Sequence, residues 1–376
     1  STRLPRAIRD VYKRQDRFTR SAFTFDPFEL YKRGLLSNPN MLLCGVIGTG
    51  KSSLLKTMML RNSAFGRRFF VPADTKGETV DVGRAIGANV ISLGPGRDAL
   101  NPLFAPPRPS TMTEDECTRR VEQHRLLLLT SLGETAAGRR LTAKEELLLE
   151  LAMRDVTGQN VGTSASHQRQ PSFPRLVEAM LDPSEGMMAE VPVNHRRFRR
   201  ETEDVALLFR SMVRGSLKGV FDGEETRVDL DAPGVIIDIS QIRASDAAVA
   251  LTMTCGQALS DLCLTFSTHL WLKVLDECWR QVRYPAILRR ISEGQKLARG
   301  DSTTTGSATI MALHRISDLM GSGSETRELA LGLLADTGTR VVYAQASDQL
   351  ELTKQTLSLT DVETELLLSL IHISDG

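Results

Sequence analysis

Seven short apolar runs, each ending at a polar or glycine corner, set the rhythm of the chain: 41–46 (MLLCGV), 68–74 (RFFVPAD), 89–93 (NVISL), 234–240 (GVIIDIS), 270–277 (LWLKVLDE), 308–314 (ATIMALH) and 339–345 (TRVVYAQ). Runs this short and this continuously apolar fit strands buried on both faces, as in a parallel sheet. Stretches with helical spacing lie between most of them. After the first run, Leu54, Leu55, Met58 and Met59 share one helical face. Strands alternating with helices predict an α/β core around a mostly parallel sheet.

One interval breaks the alternation. Between "ISLGPGRDALNPL" and "GVIIDIS" lie about 130 residues without a convincing strand. Thr113 in "TEDE" and Thr142 in "TAKE" read as capping boxes that open long helices, and 203–217 is amphipathic at helical spacing. Pro-rich 105–110 and the polar, Gly-containing 221–234 bound this interval. The predicted organisation is an α/β core in two parts, 16–108 and 231–367, with an all-α subdomain inserted at 109–230. The stretch 156–174 is the most loop-like, and no internal repeat is present.

Composition changes little in this picture. The 376 residues, 41% hydrophobic and 25% charged, have ordinary globular content. Two hexapeptides near the ends do change it. "DVYKRQ" (10–15) can be encoded by GAT GTG TAT AAG AGA CAG, whose reverse complement translates as "LSLIHI" (368–373). That inverted pair resembles a transposon mosaic end used to fragment DNA libraries, read through at both edges. Residues 1–15 and 368–376 are therefore expected to be adapter sequence outside the fold, and the natural chain to continue past both. The first fifteen residues carry five Lys/Arg against one Asp and the last nine carry one Asp, so the formal charge moves from +1 to −2 without them. No overall polycation signals nucleic-acid binding. The five cysteines show neither CxxC pairing nor a His partner at metal spacing, so a reduced chain with no structural metal is expected. No apolar run approaches the roughly 20 residues of a membrane span.

The chemistry is concentrated after the first run. "GVIGTGKS", Gly45 to Ser52, fits GxxxxGK[ST] at every position, between an apolar strand and an amphipathic helix. Glycines let backbone N–H groups wrap phosphates, and the helix N-terminus adds partial positive charge. Gly45, Val46, Ile47, Gly48, Thr49, Gly50, Lys51, Ser52 and Ser53 are the expected ATP-binding residues. Lys51 would reach the β- and γ-phosphates, and Ser52 would ligate Mg²⁺. A second acidic strand end completes such a site. "LWLKVLDE" offers Asp276 on the metal side and Glu277 as the base that orients the attacking water. An acid pair after an apolar strand points to ATP hydrolysis rather than to a small-molecule kinase. "ISEGQ" (291–295) echoes a transporter-ATPase signature but follows the acidic strand instead of preceding it, and is read as a solvated helix start. No NKxD base-reading motif of a GTPase is present.

Further stretches line up in order around these: "VPADTKGE" (71–78), "IGANVISLGPGRDALNPL" (86–103), "LDECWR" (275–280) and "LHRISDL" (313–319). Over nearly all of 16–367 the chain resembles the HerA/FtsK superfamily, and within it the TraC-type (VirB-class) ATPases of conjugation and type IV secretion, the actinobacterial branch especially. The resemblance implies a RecA-like P-loop core, a homo-hexamer, and a cytoplasmic position at the inner face of the cell membrane. It implies inner-membrane secretion-channel components as partners, with DNA or a relaxase–DNA complex as a further one. It also implies an N-terminal platform domain ahead of Asp16. Relatives place Gln where this chain has His314, which leaves two roles for that residue, phosphate sensor or strand cap. Arg299 and Arg340 match loosely the family's basic positions for transition-state charge, with Arg315 a third candidate; each also reads as an ordinary surface arginine. "NHRRFRR" (194–200) reads as a solvated helical face or as a contact for DNA or the channel. The function expected is an ATP-driven motor for pilus assembly or substrate transfer. Its alternatives are a DNA-pumping coupling protein of the same superfamily and a nucleotide-gated scaffold without catalysis.

Overall fold

The computed structural model describes residues 25–158, 171–191, 194–215, 217–223, 226, 228–242, 246–281, 283–297, 306–320 and 324–369. Arg299 and residues 1–15 lie outside them, as does most of 368–376. All seven apolar runs form strands: β1 (Met41–Cys44), β2 (Arg68–Asp74), β3 (Asn89–Ser92), β4 (Gly234–Asp238), β5 (Leu270–Leu275), β6 (Gly306–Leu313) and β7 (Thr339–Val342). They make one sheet in the order β3-β4-β2-β5-β6-β1-β7, and every pairing is parallel.

The two-faced burial expected of parallel strands is plain in β1. Met41 and Leu43 enter one apolar cluster while Leu42 and Cys44 enter the other. The first cluster packs under helices α1 (Pro27–Lys32), α2 (Lys51–Ala64) and α3 (Val80–Ala85), through Phe28, Leu55, Met58, Met59 and Val80. Helix α4 (Glu114–Ala137) lies on the other face. It begins at an N-cap, Thr113, whose side chain accepts from the Glu116 N–H. Helix α5 (Ala143–Thr157) starts with the predicted capping box between Thr142 and Glu145. Helices α6 (Phe173–Leu181), α7 (Glu185–Ala189) and α8 (His195–Arg214) complete the insertion, with no strand among the described residues of 109–230. The "NHRRFRR" stretch opens α8 with its arginines exposed and Phe198 buried.

The insertion does not have a core of its own. Its Leu128, Leu132, Phe173 and Phe209 belong to the same cluster as Val235, Ile237 and Trp271 of the sheet. Helix α9 (Asp246–Thr265) makes the join, packed between α4 and β2. Contrary to the expectation that no run approaches membrane-span length, this 20-residue helix is long and apolar enough to cross a membrane, but 78% of its apolar window is buried inside the protein, as in a core helix. Helices α10 (Pro285–Leu297), α11 (Ser324–Ala335), α12 (Leu350–Leu357) and α13 (Asp361–Ser369) finish the chain. "ISEGQ" corrects the sequence reading. It sits within α10, which starts at Pro285, and Ile291, Ser292 and Gln295 are buried. Proline suits the first helical turn, so the helix begins six residues earlier than the motif suggested.

α9 touches β2 through bare backbone. A Cβ built on Gly256 would come 1.9 Å from the Pro72 carbonyl oxygen. Gly332 of α11, by contrast, has nothing within 4 Å of such a Cβ. Gly256→Ala should destabilise the chain by roughly 1–3 kcal/mol through overpacking. Gly332→Ala should stabilise it by up to about 1 kcal/mol through helix propensity. Urea unfolding midpoints of the two variants test this; an unshifted Gly256→Ala midpoint would mean that α9 does not lie on β2 as described.

Candidate functional site

Because the strands are parallel, all of them deliver the chain to the same edge. The order β2-β5-β6-β1-β7 sets five strand ends side by side there. Asp74 ends β2, Asp276 and Glu277 follow β5, His314 follows β6, Gly45 follows β1, and Tyr343 follows β7. The P-loop and the acid pair are therefore two strands apart, with His314 on the strand between.

The loop after β1 is built for close approach. Gly48 and Gly50 have φ of 87° and 99°, in the left-handed region that favours glycine. Gly45 has no room for a side chain, since a Cβ there would meet the Tyr343 Cβ at 2.5 Å. β7 also pins the loop directly: the Val46 N–H donates to the Ala344 carbonyl at 3.0 Å, and Tyr343 N–H to the Cys44 carbonyl at 2.7 Å. Ile47 stands 79% exposed at the loop's outer side. Helix α2 starts at Lys51, so Ser52 and Ser53 fall in its first turn. The Lys51 ammonium donates to the carbonyls of Gly45 and of Val46, the latter at 2.9 Å. Burial holds its pKa below the usual lysine value, while Glu277 and Asp276 favour its charged form.

Asp276 carries the opposite shift. Burial raises its pKa, and the nearby carboxylates of Glu277, Glu78 and Asp74 push the same way. Its Oδ1 accepts from the Glu277 N–H at 3.0 Å. The Ser52 hydroxyl and the Asp276 carboxylate, whose hydrogen bond among the described residues is the one from the Glu277 N–H, are oxygen donors of the kind that Mg²⁺ takes, so these two residues fit that ion.

Glu277 has φ 52° and ψ 37°, left-handed for a residue with a side chain, a strain of order 1–3 kcal/mol. Its side chain is only 6% exposed. Lys76 donates to Oε1 from the β2 side. His314 Nε2 lies 3.0 Å and 3.2 Å from the two carboxylate oxygens on the β6 side. A carboxylate only accepts, so Nε2 carries the proton of that contact. His314 thus touches the candidate base itself.

Lys76 and Tyr343 were not among the residues that sequence reasoning assigned to the site, although "DTKGE" stood out as a motif. The placement of Arg340 is different in kind. It is the second residue of β7, opposite Leu42 and away from the P-loop end. Its guanidinium donates at 3.3 Å to Leu334 O and to Leu357 O, the last turns of α11 and α12. Arg315 is exposed, and its N–H is held by Asp318.

No family model matches the chain, and no curated protein matches it in sequence. Solved structures do match in fold. VirB4 of Thermoanaerobacter pseudethanolicus superposes with a TM-score of 0.72 at 18% identity, over 94% of this chain and 89% of that one. The conjugative coupling protein TrwBdeltaN70 gives 0.56 at 16% identity, over 84% and 71%. TrwB in complex with the non-hydrolysable ATP analogue ADPNP gives 0.57 at 15% identity, over 84% and 73%. At these identities the likeness is one of fold, and it bears out the α/β P-loop core.

Cys44 closes the floor of the P-loop. It is buried against Gln345, and burial raises its thiol to about 12. Cys278, beside the acid pair, is likewise raised to about 12 by burial, and Cys255 and Cys263 are raised for the same reason. Only Cys117 is part-exposed. Thiolates are the reactive species, so maleimide at neutral pH should add one label to the folded chain, lost in Cys117→Ser, and five after denaturation. Rapid labelling of Cys44 in the folded chain would contradict a closed floor.

Proposed function

We propose that this chain is an ATP-hydrolysing motor of a conjugative transfer or type IV secretion system, powering pilus assembly or substrate translocation. The observation that carries the reading is the single crest of strand ends, which brings the P-loop, Asp276, Glu277 and His314 together. In this reading the chain works as a homo-hexamer on the cytoplasmic side of an inner-membrane channel, with channel components as partners. DNA or a relaxase–DNA complex is a further partner. The fuller superposition with VirB4 than with TrwB favours a secretion motor over the DNA-pumping coupling protein.

The glycines of the loop admit the phosphates to backbone N–H groups, and Lys51 supplies the charge that meets the β- and γ-phosphates. Bound Mg²⁺ would neutralise phosphate charge, held by Ser52 and on the Asp276 side. Glu277 accepts a proton from the attacking water. The water oxygen bonds to the γ-phosphorus as the bond to the β,γ-bridging oxygen breaks. That electron pair leaves on ADP, and the proton passes on from Glu277.

Two substitutions separate binding from chemistry. Lys51→Ala should weaken nucleotide binding and hydrolysis together. Glu277→Gln should still bind ATP while turnover falls by roughly 10²–10⁴, the range for losing a general base. Fluorescent-nucleotide binding and phosphate release, measured on both variants, decide the matter. Wild-type turnover by Glu277→Gln would remove the acid strand from the mechanism.

A further inference from the structure

The Lys76 contact is built, not incidental. Asp74, the last residue of β2, spends its whole carboxylate on the turn that follows. Its Oδ1 accepts from the N–H groups of Lys76 (3.2 Å), Gly77 (2.7 Å) and Glu78 (3.2 Å). Its Oδ2 accepts from the Thr79 N–H (2.8 Å) and hydroxyl (2.6 Å). Five hydrogen bonds on one buried carboxylate leave the turn a single geometry. Gly77, at φ 73°, lies against Ser240 at the end of the neighbouring strand, where a Cβ would stand 3.4 Å from the Ser240 hydroxyl oxygen. The turn is thus tied to two strands, and it aims Lys76 across to the next one, at Glu277.

We propose that Lys76 is a positioning residue for hydrolysis, which with His314 clamps the Glu277 carboxylate from both sides in the orientation that receives the water proton. This rests on the reading of Glu277 as the base. Glu277 stands between β5 and the turn that follows, and two partners hold its carboxylate there. Lys76 supplies one from β2 and His314 the other from β6. The Glu277 pair in turn raises the Lys76 pKa, which keeps the clamp charged. Lys76 is 45% exposed where Glu277 is 6% exposed, so the cation can be replaced without opening the pocket around the base.

A residue that acts through Glu277 has a signature that a merely structural lysine lacks. Lys76→Met should lower kcat for ATP by about ten- to a hundred-fold, the cost of a misplaced catalytic group, with KM within about two-fold. Lys76→Arg, which restores a cation at similar reach, should recover most of that loss. In single-turnover measurements Lys76→Met/Glu277→Gln should be no slower than Glu277→Gln alone, because the clamp has lost the group it positions. A Lys76→Met kcat equal to or above the wild-type value overturns the proposal, as does an additive loss in the double variant. Glu277→Gln run beside these keeps the two readings apart. If it hydrolyses at the wild-type rate, the base assignment falls and the clamp with it. If it is slow while Lys76→Met is not, only the clamp falls.

Discussion

Burying a parallel sheet on both faces leaves one place for its polar chemistry, the edge where the strands end. That constraint organises the whole molecule. Nearly every residue of β1, β2, β4 and β5 is buried, so polar side chains collect where the backbone leaves the sheet. With all strands running one way, these exits sit on a single crest. The strand order then decides who meets whom. β6 between β5 and β1 puts His314 between acid pair and P-loop, and β2 beside β5 puts Lys76 within reach of Glu277.

A charge buried inside the sheet itself departs from this arrangement, and its surroundings show the cost. Lys273 lies in the middle of β5, only 4% exposed, and its ammonium is met by Asp261 of α9 at 2.6 Å. Arg290 of α10 approaches the same carboxylate at 3.4 Å. A lone lysine at that position would be strongly unfavourable. The acid on the covering helix makes it tolerable and fixes the helix in register over the strand.

Much of this was legible in the sequence, for physical reasons that differ by element. The strands were readable because burial on both faces makes them continuous apolar runs, and each of the seven predicted runs holds a strand. The P-loop and acid pair could be picked out as candidates because the chemistry assigned to them depends on local spacing, as in Gly45 to Ser52 and in Asp276 next to Glu277; the fold sets both at the same edge of the sheet. Lys76 was not, although its motif was noticed: its role depends on a contact with a residue about two hundred positions later, set by strand order. Periodicity carries no information on strand order. "ISEGQ" misled for a related reason, since a short polar string does not reveal that α10 turns Ser292 and Gln295 inward. Arg340 reads in sequence either as a cation for transition-state charge or as an ordinary arginine; in the fold it donates to the carbonyl ends of two helices, the place where a positive charge meets the helix dipole.

The insertion and the crest are joined through α9, which packs on α4 and on β2. α4 packs along α9, and α9 rests its Gly256 backbone on the Pro72 carbonyl with no side chain between. Pro72 is two residues before Asp74, whose five hydrogen bonds set the turn that carries Lys76. Side-chain layers can absorb a displacement by changing rotamers; backbone against backbone cannot, and close-packed interiors transmit strain. A shift of α9 along β2 must either break the Gly256 contact or carry the end of β2 with it. The helical insertion thus reaches the strand end that holds the candidate base through one continuous run of packed elements, α4 on α9 and α9 on β2, and Gly256 is the position at which that run has no room for a side chain.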